Sequence, residues 1–189
     1  MLFVVAVTGA SGSVYARRLL DELKRGGHTT LLLVSDEAKN VMKHEGEDLH
    51  RFTGSATQAF SEHDMDCPAS SGSVKTAGMI VVPCSMKTLS AIAHGLSDNA
   101  ITRAADVTLK ERRTLILVPR ETPLSIVHLR NLLRAAQAGA IILPAMPAFY
   151  TKPKTTDDMV NFMVGRILDL INIPHSLYPR WEEPGTEKE

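Results

Sequence analysis

Arg120 and Glu121 stand together between two prolines, in Pro119-Arg120-Glu121-Thr122-Pro123. An arginine in such a place can fork its N–H groups onto a phosphate or a ring carbonyl. A glutamate partly shielded from water can move protons. The plain alternative is that the two charges pair with each other at the surface. Gly9-Ala10-Ser11-Gly12 is a second candidate. Small residues let backbone approach an anion, and a helix starting beyond them offers N–H groups of positive partial charge. An ordinary tight turn uses the same residues. Cys84-Ser85-Met86-Lys87-Thr88 brings two hydroxyls to the start of another helix. It suits a ring or phosphate contact, or simply a cap made by Ser85. Cys84 has no histidine beside it and reads as a small buried residue rather than a nucleophile. Arg103 and Lys110 are seven residues apart, on one helical face about 10.5 Å apart along the axis. Asp106 can instead neutralise Lys110 at i,i+4.

Two rival chemistries each lack a residue. Asp36 lies near where a ribose-binding acid follows a dinucleotide loop, but the loop is only GxxG, and GxGxxG needs one more glycine. Asp157-Asp158 hints at the paired acids that hold magnesium on a prenyl diphosphate, but a DDxxD pattern is broken by Asn161. Acids in the first turn of a helix capped by Thr155 or Thr156 explain that pair better. The seven histidines show no metal-ligand spacing, so no metal is expected.

The elements that must position these residues are legible from periodicity. Leu2 to Val7 is a short apolar run suited to a strand buried on both faces. Ser13 to Arg25 carries a helical stripe of Tyr15, Leu19, Leu20 and Leu23, ended by Gly26-Gly27. Thr29 to Val34 is a second strand. Ser35 then caps a helix reaching about Glu45. Residues 46–76 carry no clear period, and Pro68 to Ser73 reads as a loop. Met79 to Val82, closed by Pro83, is a third strand; helices follow at about 86–94 and 100–111. Leu115 to Val118 and Ala140 to Leu143 complete five strands. Pro123, capped by Thr122, opens a helix between the last two. A final helix runs from about Thr156 to Ile171, and residues 173–189 form an extended tail. Strands alternating with helices imply an α/β fold: a three-layer, doubly wound, Rossmann-like parallel sheet in a single domain. Such sheets bind ligands at the carboxyl ends of their strands, where the candidate segments fall.

Composition narrows the partners. The chain has 189 residues, enough for one domain of about 100–200. Lys plus Arg and Asp plus Glu both number 21, so bulk charge recruits neither nucleic acid nor an anionic membrane. Two cysteines make no disulfide framework. No apolar run is long enough to span a bilayer, and the start lacks the basic region of a signal peptide. The expected location is cytoplasmic.

VTGASG, PASSGS, VVPCSMKTL, RAADVTLKERR, LVPRETPLS, HLRN, PAMPAFY and PRW occur in that order along almost the whole chain. In these stretches the sequence resembles the flavin prenyltransferases of the UbiX-like family, formerly labelled aromatic acid decarboxylases. PASSGS and PAMPAFY stand where the related FMN-binding cysteine decarboxylases carry PASANT and PxMNxxMW.

The resemblance implies a 1–172 FMN-binding domain and a 173–189 tail closing over the site. It implies an activity that joins dimethylallyl to N5 and C6 of reduced FMN. Gly9, Ala10, Ser11, Ser35, Ser85, Met86, Lys87, Thr88 and Arg120 match FMN contacts. Tyr150 and Arg166 match binders of the prenyl phosphate, supported by Arg103 and Lys110, and Trp181 matches the closing segment. Glu121 and Glu45 match proton-handling or electrostatic groups, and Ser11 and Lys110 are expected to act in catalysis as well. The implied partners are dimethylallyl phosphate, a UbiD-like decarboxylase that receives the product, and further copies of the chain in a dodecamer. The rival readings are an FMN-dependent aromatic acid decarboxylase, a flavin carrier and an NAD-dependent enzyme.

Overall fold

Strand β1 (Leu2–Val7) and strand β2 (Thr29–Val34) are buried along nearly their whole length, as continuous apolar runs require. The computed structural model describes residues 1–181. They form two compact units, Met1–Ala145 and the part from Met146 onward. The first unit holds one parallel sheet of six strands, in the order β3-β2-β1-β4-β5-β6. Its other strands are β3 (Gln58–Ser61), β4 (Gly78–Cys84), β5 (Thr114–Pro119) and β6 (Ile141–Ile142). The chain winds outward from β1 to β3, returns to the centre at β4, and winds outward the other way.

Right-handed crossovers in opposite directions put helices on opposite faces. Helix α1 (Ser13–Arg25) joins β1 to β2 and packs on β1, β2 and β4. Helices α4 (Met86–Ala93) and α5 (Ala100–Lys110) join β4 to β5, after α2 (Asp36–His44) and α3 (Leu49–Ser55) have joined β2 to β3. Val4, Ala6, Met79, Val81, Leu115 and Leu117 build a core with Leu89, Ile101 and Ala105 of α4 and α5. α6 (Ile126–Gln137) leads to β6, and α7 (Thr156–Leu170) belongs to the second unit.

The three-layer doubly wound fold expected from the sequence is found, with local corrections. The stretch without period, 46–76, contains α3, β3 and a single 3-10 turn at Pro68–Ser70. Phe52 is the one buried residue of α3, and β3 is an edge strand made by backbone pairing with β2. Neither leaves an apolar pattern to read. Pro83 lies inside β4 rather than closing it, beside a register shift between Val81 and Cys84. The helix expected to open at Pro123 is α6 and starts later. Ser125 accepts the N–H of His128 at 3.2 Å, and His128 Nδ1 accepts the N–H of Ser125 at 3.3 Å. That reciprocal cap fixes the start three residues beyond Thr122.

Candidate functional site

The strand order reverses between β1 and β4, and their carboxyl ends open a cleft there. Thr8, fully buried, ties the two ends together. Its hydroxyl donates to the Pro83 carbonyl at 2.9 Å and accepts the Ser85 N–H at 2.7 Å. Gly9, Ser35, Ser85, Lys87 and Thr88 line a cleft of about 160 Å³. Five of the expected FMN contacts therefore come together, from the ends of three strands. Ser85 caps α4, accepting the Thr88 N–H at 3.2 Å, with its hydroxyl 3.1 Å from that of Thr88. Ser35 caps α2 in the same way through Ala38 at 3.1 Å. The first N–H groups of α4 have no partner within the helix. Lys87 makes no ion pair among the described residues. This donor set fits a phosphate, although Glu37 and Glu62 also line the cleft. Gly9 is small for a second reason: a Cβ there would lie 2.6 Å from Cβ of Glu37.

The start of α1 is arranged differently. Glu45 accepts the Gly12 N–H at 2.7 Å, the Ser13 N–H at 3.0 Å and the Ser13 hydroxyl at 2.5 Å. The anion at this helix start is the protein's own carboxylate. Burial pushes the Glu45 carboxyl up, but the bonds from Ser13, Ser11, and the Gly12 and Ser13 amides together hold it below the usual range. Glu45 is thus a fixed negative charge in this state, not a proton donor at neutral pH. The Ala10 N–H is turned inward to the Thr8 carbonyl at 2.7 Å.

Arg120 and Glu121 do not pair with each other. Both are exposed, and Glu121 accepts the Thr122 N–H at 2.9 Å. Burial raises the Tyr15 phenol of α1, and the charges of Arg120 and Glu45 act on it in opposite directions. Tyr15 goes unmarked in the sequence because it belongs to an apolar stripe; Thr8 falls within the strand-end segment Thr8–Ser11 but carries no role of its own there.

Arg103 and Lys110 lie apart from the cleft. Arg103 bonds the Ser70 carbonyl at 3.3 Å and Asp106 at 3.1 Å. Lys110 pairs with Glu111 at 2.7 Å, so Asp106 does not neutralise it. Lys110 ends α5 just before β5 begins, at the amino edge of the sheet. The candidate cleft opens at the carboxyl edge. Cys84 is wholly buried, and burial pushes its thiol up to about 12, which leaves no thiolate to attack. Asp36 is bonded to Lys39 and His63, each at 2.8 Å, so its carboxylate is not free for a ribose. Asp158 accepts the N–H groups of Lys154 and Thr155 at 2.9 Å each, the capping role expected of it.

The second unit gathers Tyr150, Arg166 and Trp181. The Tyr150 ring stands edge-on to Trp181 at 5.0 Å and to Phe162 at 6.0 Å. Tyr150, Thr151, Lys152, Pro179, Arg180 and Trp181 line a hollow of about 510 Å³. Arg166 donates to Asp169 at 3.2 Å and to the Tyr178 hydroxyl at 3.4 Å. Tyr150 lies close enough to both Arg166 and Arg180 to act on their charges. Lys152 and Arg180 carry no assignment from the sequence, although Arg180 stands in the PRW run; Tyr178 is expected there only as part of the tail over a site. The tail expected to close over the site lies, beyond Trp181, outside the described residues.

A parallel sheet with polar turns at its switch point is the architecture of a nucleotide- or flavin-binding protein. A model of the flavoprotein family matches residues 2–168. The chain is 48% identical over 182 residues to the flavin prenyltransferase UbiX of Methanocaldococcus jannaschii, covering 96% of this chain and 98% of that one. Among solved structures, AnUbiX (PadA1) in complex with FMN and dimethylallyl pyrophosphate superposes with a TM-score of 0.93. It is 46% identical, covering 96% of this chain and 97% of that one. A dodecameric FMN-dependent UbiX-like decarboxylase from Escherichia coli O157:H7 also gives 0.93, at 42% identity, covering 97% and 100%. This chain belongs to the flavin prenyltransferases, within the flavoprotein family.

Proposed function

We propose that this chain joins a dimethylallyl group from dimethylallyl phosphate to N5 and C6 of reduced FMN, making prenylated FMN for a UbiD-like decarboxylase. The observation that carries this reading is the cleft at the switch point, where Gly9, Ser35, Ser85, Lys87 and Thr88 converge on one open helix start. FMN is a substrate here, with its phosphate at α4 and Arg120 on the flavin. The Tyr150, Arg166 and Trp181 region takes the prenyl phosphate. As the allylic carbon–oxygen bond breaks, Arg166 and the Tyr150 hydroxyl stabilise the charge on the departing phosphate. The aromatic faces of Tyr150 and Trp181 tolerate the positive charge left on the allyl group. N5 of reduced FMN bonds the allyl carbon and loses its proton. Ring closure then takes up a proton at the other alkene carbon as C6 bonds the tertiary one and releases its own, so one proton is released overall, with Glu121 accepting the proton from C6. Glu45, ionised and fixed, supplies a negative charge near Ser11 without moving a proton.

The assembly belongs to the same reading. A cleft of about 160 Å³ is smaller than the ~300 Å³ lower bound of ordinary ligand pockets, so one copy does not complete the site. Lys110, at the far edge of its own sheet, and Arg103, in the first turn of α5, serve the prenyl phosphate of a neighbouring copy. Ile126, Val127, Leu129 and Leu133 give α6 an exposed apolar stripe, with Ile126 at 63% and Leu133 at 59% exposure. A homo-oligomer, a dodecamer like the E. coli relative, would cover it. No helix among the described residues is long and apolar enough to cross a membrane; a cytoplasmic enzyme is the setting proposed.

The test is anaerobic incubation of the protein with reduced FMN and dimethylallyl phosphate, with dimethylallyl diphosphate in parallel. The expected product is FMN heavier by one C5H8 unit. Flavin of unchanged mass with both donors would overturn the reading.

A further inference from the structure

Asp169 ends the last turn of α7 and collects four donors on one carboxylate. Tyr178 donates its hydroxyl at 2.5 Å, Arg180 a guanidinium N–H at 2.7 Å, His175 lies at 3.0 Å and Arg166 at 3.2 Å. Three of the four come from the segment after α7, so this carboxylate folds residues 175–180 back onto the helix. Gly165, one turn earlier, makes the fold-back possible. A Cβ there would lie 2.6 Å from the Tyr178 ring and 2.8 Å from the His175 ring. The Phe162 and Tyr178 rings then pack at 4.9 Å, and Phe162 in turn meets Tyr150 at 6.0 Å. The hollow lined by Tyr150, Arg180 and Trp181 thus has one wall from the loop before α7 and one from the segment after it. The clasp at Asp169 joins those walls.

We propose that Asp169 is a positioning residue for the phosphate-binding wall: it orients Arg166 and Arg180 and, through Tyr178, seats Trp181 against Tyr150. The assignment of the phosphate to this hollow rests on the function proposed above; the clasp itself does not. A shared carboxylate limits the freedom of two arginines that would otherwise have to be ordered when the phosphate arrives. It also leaves the cluster cationic, since two guanidinium groups share one carboxylate. Burial raises the Asp169 carboxyl, but the bonds from Arg180, Tyr178 and His175 outweigh it and hold it at about 2, so it is ionised under ordinary conditions.

Trp181 is the sole tryptophan of the chain, so its emission reports the clasp directly. Asp169→Ala should change that emission and raise KM for dimethylallyl phosphate roughly 10-fold to 100-fold, the scale of losing a hydrogen bond to a charged group. It should leave the FMN dissociation constant nearly unchanged, and any fall in kcat at saturating donor should be smaller than the rise in KM. Gly165→Ala is the second arm. It keeps every polar group and should shift KM and emission in the same direction by crowding Tyr178. Asp169→Asn, which keeps the shape and one acceptor oxygen, should fall between wild type and Asp169→Ala. Unchanged KM and emission in both Asp169→Ala and Gly165→Ala would overturn the proposal, as would a drop in kcat and FMN affinity with KM unmoved. If wild type binds no dimethylallyl phosphate but the emission still responds, the clasp stands and the functional reading fails.

Discussion

The cleft of the first unit and the hollow of the second are built on different principles. The cleft is made by backbone: strand ends, helix starts and two short caps, locked by the Thr8 hydroxyl between β1 and β4. The hollow is made by side chains: Arg180, Lys152 and the Tyr150 and Trp181 rings, with Arg180 held by the Asp169 carboxylate. A backbone-built site inherits the rigidity of the sheet and changes little with any single substitution on its rim. A side-chain-built site depends on one or two residues that order the others. The first suits a ligand that recurs with the same phosphate; the second suits a donor that must enter, react and leave as free phosphate.

The sharpest test of this contrast separates chemistry from both sites. Glu121→Gln keeps shape and removes a base, so kcat should fall about 100-fold to 10,000-fold with both ligands still bound. A wild-type rate would make the released phosphate the base. Next is Arg166→Ala, which should raise KM for the donor roughly 10-fold to 100-fold and spare FMN affinity, as read by titration. Loss of FMN with unchanged donor affinity would show that the two ligands had been assigned to the wrong regions. Thr8→Val strikes the backbone-built cleft. It leaves the Ser85 N–H without its acceptor, while the Pro83 carbonyl keeps only the backbone N–H of residue 8, at a cost of about 1–3 kcal/mol in urea denaturation, with weaker FMN binding. A smaller effect is expected from acid on the side-chain-built hollow. Asp169 moves from 3.8 to about 2 on folding. A depressed carboxyl stabilises the fold above its unfolded value and loses that contribution as pH falls through its folded one. Trp181 emission should therefore hold steady down to about pH 4 and change between there and pH 2. Asp169→Asn should abolish the transition. The smallest effect is Cys84→Ala, which should leave kcat unchanged, because a buried thiol held near 12 takes no part.

The sheet was legible because its strands are buried on both faces and so carry uninterrupted apolar runs. α1 and β2 begin and end where the sequence places them, since Gly26-Gly27 and the polar turns mark their limits. β3 was hidden because an edge strand needs backbone pairing more than an apolar pattern, and Gln58–Ser61 has only Ala59 and Phe60 to show. The start of α6 was misplaced because Pro123 and Thr122 imitate a helix start, whereas the reciprocal bonds of Ser125 and His128 make the real one. Of the candidate site, the strand-end segments could be found by the switch-point rule alone. The placement of Arg103 and Lys110 could not. A shared helical face says nothing about which edge of the sheet that face reaches. Asp169 was invisible because its four partners assemble only when the chain folds back on itself.

Glu45 has a consequence for the direction in which a ligand must lie. A flavin nucleotide is polar end to end, with a charged tail and a flat ring, and it can enter a crevice either way round. The starts of α2, α4 and α5 line this crevice through their caps Ser35, Ser85 and Asn99, and Gly9 brings the loop before α1 to its rim. Glu45 fills the start of α1 from within, with its two oxygens on Gly12 and Ser13. The Asp36 N–H at the start of α2 goes to the Glu62 carboxylate at 2.8 Å and the Ala100 N–H at the start of α5 to the Glu62 carbonyl at 2.8 Å, which leaves the start of α4 for an incoming anion. Under the function proposed above, the tail would be drawn to α4 and the ring would lie toward Arg120 and Tyr15, so the glutamates at the neighbouring helix starts make the crevice one-directional.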